Sequence, residues 1–319
     1  MRQVRVPARI GLLGNPSDGF GGRVIAATID DFAATVVAEP ADRWELVAPE
    51  RERSARSVPE LVAALADHEL EEGLELLAAA IVRLDREGQA PEPHRLLFES
   101  DIPRQAGLSG SSAVIVATIR ALADALPAVD VARLALEAEV DVLGWAAGPQ
   151  DRVVQAFGGL LDMRFDEPWD AERYERLDPT GLPACILAWT EDPGEPSGAV
   201  HAPVRDRWRA GESEVVEAMR RFASLAADGR KALDAGHASE VWPDLADEAF
   251  DLRTRFWSIT DTDIDMVDAI GSVGGGASLA GSGGAVVGYL PDASLVSEAT
   301  EALADVGAES LVPTIGKPT

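Results

Sequence analysis

Between Ile102 and Leu122 the chain reads Ile-Pro-Arg-Gln-Ala-Gly-Leu-Ser-Gly-Ser-Ser-Ala-Val-Ile-Val-Ala-Thr-Ile-Arg-Ala-Leu, and no other stretch limits the fold as much. Ahead of it, His94 to Ser100 has the apolar centre of a short strand. Behind it, Val114, Ile115, Thr118, Ile119 and Leu122 recur at helical spacing. The order is therefore strand, Gly/Ser turn, then a helix opening at Ser111-Ser112. Backbone N–H groups at such a helix start, together with its dipole, favour an anion. Gly107 and Gly110 lack a Cβ, so the backbone can bend there and come close to a ligand. Two hydroxyls stand where a phosphate-bound metal would be held, and the stretch reads as a phosphate cradle. A Ser-capped helix after a flexible turn explains the same residues with no ligand at all, so the rest of the chain has to decide. This is not a Walker A loop: the only lysines are Lys231 and Lys317. Positive charge facing phosphates must come from arginine, a metal or the backbone.

A chain of 319 residues suits one large or two moderate domains with a well-buried core. The net charge of −27, spread along the chain, argues against nucleic acid and anionic membrane as partners, since both need a cationic footprint. It reads as adaptation of the whole surface to salt, or as the mark of an Ala/Arg-rich genome. No apolar run reaches membrane-spanning length and the start lacks a secretory h-region, so a cytoplasmic protein is expected. The single cysteine, Cys185, sits among Ala184, Ile186 and Leu187; it reads as a buried strand residue and rules out an internal disulfide framework.

Val4 to Leu13 has the pattern of a strand, ending in a turn dense in Gly, Pro, Asn and Asp (Gly14 to Gly22). Arg9 lies on the strand; Asn15, Ser17 and Asp18 lie in the turn, which a simple hairpin would also explain. Val24–Ile29, Phe32–Ala38 and Trp44–Val47 are expected strands, making the start of the chain a β-rich layer. Leu70, Leu74, Leu77, Ile81 and Leu84 form one helical face. A helix with Asp130 as candidate N-cap is expected to turn Leu136, Val140 and Leu143 inward. Glu139 rides on it beside charged neighbours that make a solvated face the default. After the Gly148-Pro149 turn, Gln150-Asp151-Arg152 opens a short helix. Asp151 is either a first-turn acid or a general base that its arginine neighbour favours in the ionised form. Leu160–Phe165 is a strand. The polar stretch Asp166 to Pro179 marks a boundary, giving domains 1–178 and 179–319. The second half alternates a strand (Ala184–Trp189), long helices through Val215–Leu233 and Val241–Phe256, and a further element at about 264–273. A second glycine cluster (Gly274–Ala285) runs into the strand Val286–Leu290. A helix through Leu295, Ala299 and Leu303 and a strand at Leu311–Ile315 close the chain. The class is α+β.

Three glycine-rich stretches in this order, with an Asp-bearing turn between the second and third, resemble the GHMP small-molecule kinases. The stretches are Ala8 to Asp18, Pro103 to Ala113 (one residue longer than the usual motif) and Ala280 to Ala285. Within that family the chain resembles the plant-type glucuronokinases: the likeness takes in Gly11–Asp18, Ile102–Ala113, Ala147–Arg152 and Gly158-Gly159. It continues through Val200-His201, Arg207-Trp208 and Phe250–Arg253 to Gly281–Val287. The resemblance implies a two-domain GHMP-kinase-like fold with the active site in the interdomain cleft. It also implies transfer of the ATP γ-phosphate to the anomeric hydroxyl of glucuronate. Gly107, Leu108, Ser109, Gly110, Ser111 and Ser112, with Gly281, Ser282 and Gly283, would then hold the phosphates. Ser112 and Glu139 would bind Mg²⁺, and Asp151 would be the catalytic base. Asp18, Arg104, Gln105, Arg152 and Arg9 would face the substrate, with Arg104 first in line for the uronate carboxylate because arginine pairs with it bidentately. The implied partners are a small-molecule sugar or uronic acid and the nucleotide. Two departures stand out: Ser278 and Ala280 replace a frequent Lys and Thr before the third glycine run, and Asn15 replaces the Glu of galactokinase-like members. A kinase for another sugar, uronic acid (galacturonate, for example) or sugar phosphate stays open, as does a non-catalytic sugar-binding regulator.

Overall fold

The computed structural model describes residues 1–89, 91–190 and 197–318, the side chains of 197–202 excepted. β1 (Arg2–Leu13) and β2 (Arg23–Pro40) run antiparallel over almost their full lengths. Ala8 faces Ile29 but Pro7 faces Ala33, so Asp30, Asp31 and Phe32 bulge out of the ladder. Proline has no N–H to give, which is why the irregularity falls beside it. The two strands expected between Val24 and Ala38 are thus one bulged strand. β3 (Trp44–Ala48), β4 (Arg51–Ala55), β5 (His94–Ser100), β6 (Leu160–Arg164) and β7 (Tyr174–Arg176) complete a seven-stranded sheet of order β4-β3-β5-β2-β6-β7, with β1 beside β2.

Helices α1 (Val58–Ala66), α2 (Leu74–Arg86), α3 (Gly110–Leu122), α4 (Ala128–Glu137) and α5 (Gln150–Phe157) belong to this layer. α3 lies on β1 and β2 between its helical neighbours. It buries every residue from Ser112 to Ile119, as a helix apolar all round must. Each of its Val and Ile side chains contributes about 1.5–3 kcal/mol by that burial.

The segment after α4 departs from expectation. α4 starts after Pro127 rather than on an Asp130 cap, and it buries Val131, Ala132, Leu134 and Ala135. A π-helical turn at Ala138–Val142 then adds a residue to the turn and rotates the faces. Val140 is left 40% exposed while Glu139 is only 1% exposed.

The chain leaves the first sheet at β7 and enters a second at β8 (Ala184–Trp189). With β9 (Gly276–Leu279), β10 (Ala285–Leu290) and β11 (Glu309–Leu311) this forms an antiparallel sheet of order β11-β8-β10-β9. α6 (Ser197–Arg209), α7 (Ser213–Asp234), α8 (Ala238–Phe256), α9 (Asp261–Ser272) and α10 (Val296–Asp305) complete the second half. α8, α9 and α10 pack on the smaller sheet and α7 bridges α8 to β2. β9 lies inside the glycine cluster. A Cβ on Gly276 would stand 2.1 Å from the Pro243 carbonyl oxygen, so only glycine lets α8 lie this close. The closing strand lies at Glu309–Leu311, earlier than the expected Leu311–Ile315; Ile315 instead bridges back to Ile29, and Pro318 to Gly158.

The two sheets meet through backbone. Gly11 N–H donates to the Ala280 carbonyl at 2.8 Å and the Tyr289 hydroxyl to the Leu12 carbonyl at 2.8 Å. One buried cluster runs through both halves, from Val6 to Tyr289. Cys185 is buried in β8, where burial pushes its thiol up to about 11, far from a nucleophile's range. Among the described residues no helix is long and apolar enough to cross a membrane.

Candidate active site

The three glycine loops converge, and their glycines are what allow it. A Cβ on Gly281 would lie 2.1 Å from the Gly107 carbonyl oxygen; one on Gly107 would lie 2.8 Å from the Gly283 carbonyl oxygen. Gly107 also has φ +67°, a conformation open to glycine at no steric cost. Gly11 closes the third side, its missing Cβ leaving 2.9 Å to the Ala280 carbonyl oxygen. The 110–112 backbone therefore opens α3 at the seam between the loop before α3 and the loop between β9 and β10.

Arg9, 5% exposed on β1, ties the parts together. Its Nε donates to Asp151 Oδ1 at 2.6 Å, and its Nη1 donates to the carbonyls of Gly107 at 3.0 Å and Ala280 at 2.7 Å. Asp151 sits half-buried in the first turn of α5, its Oδ2 taking a further hydrogen bond from Arg152 at 3.1 Å. Arg152 also donates to the Gly148 carbonyl at 2.8 Å and forms an ion pair with Glu139. Burial, and then the like charge of Arg9, push Arg152 down to about 9, so it remains a cation at neutral pH. Asp18, in the 3₁₀ turn Ser17–Phe20, accepts from Gln150 N–H at 3.2 Å. Burial, with the nearby charge of Asp151, pushes its carboxyl up to about 6. Gly148 leaves room for it: a Cβ there would be 2.3 Å from Asp18 Oδ2.

The structure brings together most of the residues singled out from sequence. Asp18, Arg9, Asp151, Arg152, Glu139 and both phosphate-loop candidates, 107–112 and 281–283, share one region. Glu139 is there because the π-turn rotates it inward. The two serines divide differently from expectation. Ser112 is fully buried, its hydroxyl donating to Gln155 Oε1 at 2.6 Å, whereas Ser111 Oγ donates to Glu139 Oε1 at 3.0 Å. Gln155 also donates to the carbonyls of Pro7 at 3.1 Å and Ser109 at 3.0 Å, locking the loop to β1. Arg104 is not in this group: it is 69% exposed and paired with Glu72. Gln105 is exposed, and only its backbone approaches the third loop, at Gly284. Val200 and His201 lie outside the residues whose side chains are described.

Two arginines enter the site that the sequence reading gives no role: Arg253, part of the stretch Phe250–Arg253 noted above, and Arg205. Arg253 on α8, 1% exposed, donates to the Gly281 carbonyl and lies 5.0 Å from the Trp257 ring centroid. Burial lowers it to about 10, with Asp18 and Asp263 acting in the other direction. Its position was legible as a polar residue on the stripe Trp242, Leu245, Ala246, Ala249, Phe250. Arg205 on α6 lines a cavity of about 350 Å³ beside Asp18. Nothing in its local sequence, Arg-Asp-Arg-Trp-Arg, separates it from its neighbours.

Residues 75–159 match the GHMP kinases N terminal domain. Over 308 residues the chain is 35% identical to Glucuronokinase 1 of Arabidopsis thaliana, covering 89% of this chain and 84% of that protein. In fold it is similar to the Lin0012 protein from Listeria innocua (TM-score 0.82, 18% identity, 99% of this chain and 98% of that one). It is similar also to Lactococcus lactis galactokinase complexed with galactose (TM-score 0.78, 18% identity, 99% and 94%).

Proposed function

Because the chain belongs to the GHMP kinase family, we propose that it transfers the γ-phosphate of ATP to the anomeric hydroxyl of glucuronate, giving glucuronate 1-phosphate and ADP. The observation that carries this reading is Asp151: a half-buried carboxylate whose two oxygens are held by Arg9 and Arg152, and which Arg9 links to both glycine loops. The similarity to a plant glucuronokinase over most of both chains names the acceptor. We take residues 1–178 and 179–319 as two lobes with the nucleotide and sugar between them.

In this reading Asp151 accepts the proton of the anomeric hydroxyl as its oxygen attacks the γ-phosphorus and ADP leaves. Phosphoryl transfer has a loose transition state, so positioning outweighs the strength of the base. Arg9 and Arg152 supply that positioning by fixing the Asp151 side chain from two sides. Backbone N–H groups at the start of α3 receive phosphate oxygens. Asp18, in the wall of the cavity, receives a sugar hydroxyl. Glu139 Oε1 and the Ser111 hydroxyl are the pair that would hold Mg²⁺. One carboxylate and one hydroxyl suit an ion that keeps water and phosphate oxygens as its other ligands. Bound there, Mg²⁺ would neutralise charge on the phosphates.

The test is ADP release from ATP across glucuronate, galacturonate, glucose, galactose and sugar phosphates, with phosphorus NMR placing the new phosphate. Glucuronate is expected to lead, phosphorylated at C1. Equal turnover of glucose or galactose would refute the uronate assignment.

A further inference from the structure

A uronic acid brings a carboxylate that needs a cation, and the arginines first considered for it are occupied elsewhere. Arg104 faces solvent with Glu72. Arg9 spends its guanidinium on Asp151 and two loop carbonyls, and Arg152 on Glu139, Asp151 and Gly148. Arg205 differs. Its Nη2 makes one long contact, 3.2 Å to the Ala147 carbonyl, and its buried Nε has no hydrogen-bond partner among the described residues. It forms part of the wall of the cavity of about 350 Å³ that Asp18, Pro149, Phe165, Trp169 and Trp208 also line. A pocket of this size, with aromatic walls and a few polar groups, is of the kind that holds a small ligand.

Two features show that the cavity is built. Trp208 is fixed by an edge-on contact with Phe20, 5.5 Å between centroids. Trp169 is held at φ +71°, a conformation costly for a bulky residue, by a 3.0 Å hydrogen bond from its N–H to the Tyr174 hydroxyl. Arg205 touches the turn at Ala147, and the same turn leads directly into Asp151 at the start of α5. In a uronic acid the anomeric hydroxyl and the carboxylate sit on the two carbons flanking the ring oxygen, so neighbouring parts of one turn can meet both.

We propose that Arg205 is the specificity-determining residue of this site, its guanidinium pairing with the carboxylate of a sugar acid held in this cavity against Trp169 and Trp208. The inference rests on the uronate reading above. Arg253 does not line the cavity, and Arg209, although it does, is exposed and paired with Asp206 at 3.4 Å.

The experiment measures KM for glucuronate and for ATP in the parent, Arg205→Gln, Arg205→Lys and Arg209→Gln, with melting temperature as the control for folding. Losing a charge-assisted contact is expected to raise the glucuronate KM of Arg205→Gln roughly ten- to a hundredfold. KM for ATP should stay within about twofold, because the phosphate loops do not use this residue. Arg205→Lys keeps the charge without the planar fork and should recover part of the loss. If Arg205→Gln does not fold, Arg205→Lys decides: a rise in KM for glucuronate alone supports the assignment, and an unchanged one overturns it. A selective rise in Arg209→Gln, with none in the Arg205 variants, also overturns it. A parent that ignores uronic acids altogether fails the functional reading and this inference together. A parent that uses them, beside an Arg205→Gln with normal KM, fails this inference alone.

Discussion

Asp18 stands in the candidate site at a cost to stability, and the cost has a pH signature. Its carboxyl is pushed up from an ordinary 3.8 to about 6, first by burial and then by the charge of Asp151. The unfolded chain gives up this proton near 3.8 and the folded chain near 6, so folding takes up a proton in between. Stability therefore falls as pH rises through that window, and the full cost is present above it. About two pH units correspond to about 3 kcal/mol. Asp18 keeps some contact with solvent, and screening reduces this to roughly 1–2 kcal/mol. Asp18→Asn keeps the volume and an oxygen to accept from Gln150 N–H while removing the charge. At roughly 1–2 °C per kcal/mol for a chain of 319 residues, the variant should melt roughly 1–4 °C above the parent at pH 7.5. The gain should be about halved near pH 5 and nearly absent by pH 4. Thermal melts at constant ionic strength across this range check it. An equal shift at pH 4 and pH 7.5, or a lower melting temperature at pH 7.5, would refute the reasoning. The same variant should raise the KM for sugar, the usual exchange of binding for stability.

Asp151→Asn should lower kcat by about 10²–10⁴-fold and leave ATP affinity by calorimetry unchanged; turnover within a few-fold of the parent would place the base elsewhere. Gly281→Ala would drive a Cβ to 2.1 Å from the Gly107 carbonyl oxygen. It should therefore cost about 1–3 kcal/mol and weaken ATP binding, and a variant with parental melting temperature and ATP affinity would show that the loops do not need this contact. At a net charge of −27 the folded chain repels itself in dilute buffer, so its melting temperature should climb as KCl is added; a flat profile would remove the link between charge and stability.

What the sequence made legible was local. Strand β5, the Gly/Ser turn and α3 follow from periodicity and turn chemistry, as does the start of α5 at Gln150-Asp151-Arg152. What escaped depends on contacts far along the chain or on a change of period. β4 is the charged run Arg-Glu-Arg-Ser-Ala at the edge of its sheet, where polar residues guard an open edge and hide the strand pattern. The π-turn at Ala138–Val142 defeats any fixed 3.6-residue count, so helical spacing points Val140 inward where the structure leaves it exposed, while the charged neighbours of Glu139 hide its burial. Arg9 reaches residues 98, 142 and 271 positions away, and no window over sequence carries such a link.

The same contacts decide how the phosphate charge is met. Within the site, Arg9 and Arg152 are both engaged by carboxylates, with Asp151 between them and Glu139 beyond Arg152. Neither is left as a free cation for an incoming nucleotide, and Arg104 points to solvent. One of the two lysines, Lys231, is exposed on α7 and paired with Asp228. Arg9 and Arg152 hold the site's own acids in place, whereas Arg253 donates to the Gly281 carbonyl of the third loop. On the kinase reading proposed above, the negative charge of the nucleotide would fall on the N–H groups at the start of α3, on the metal that Glu139 and Ser111 would hold, and on Arg253 beside the third loop.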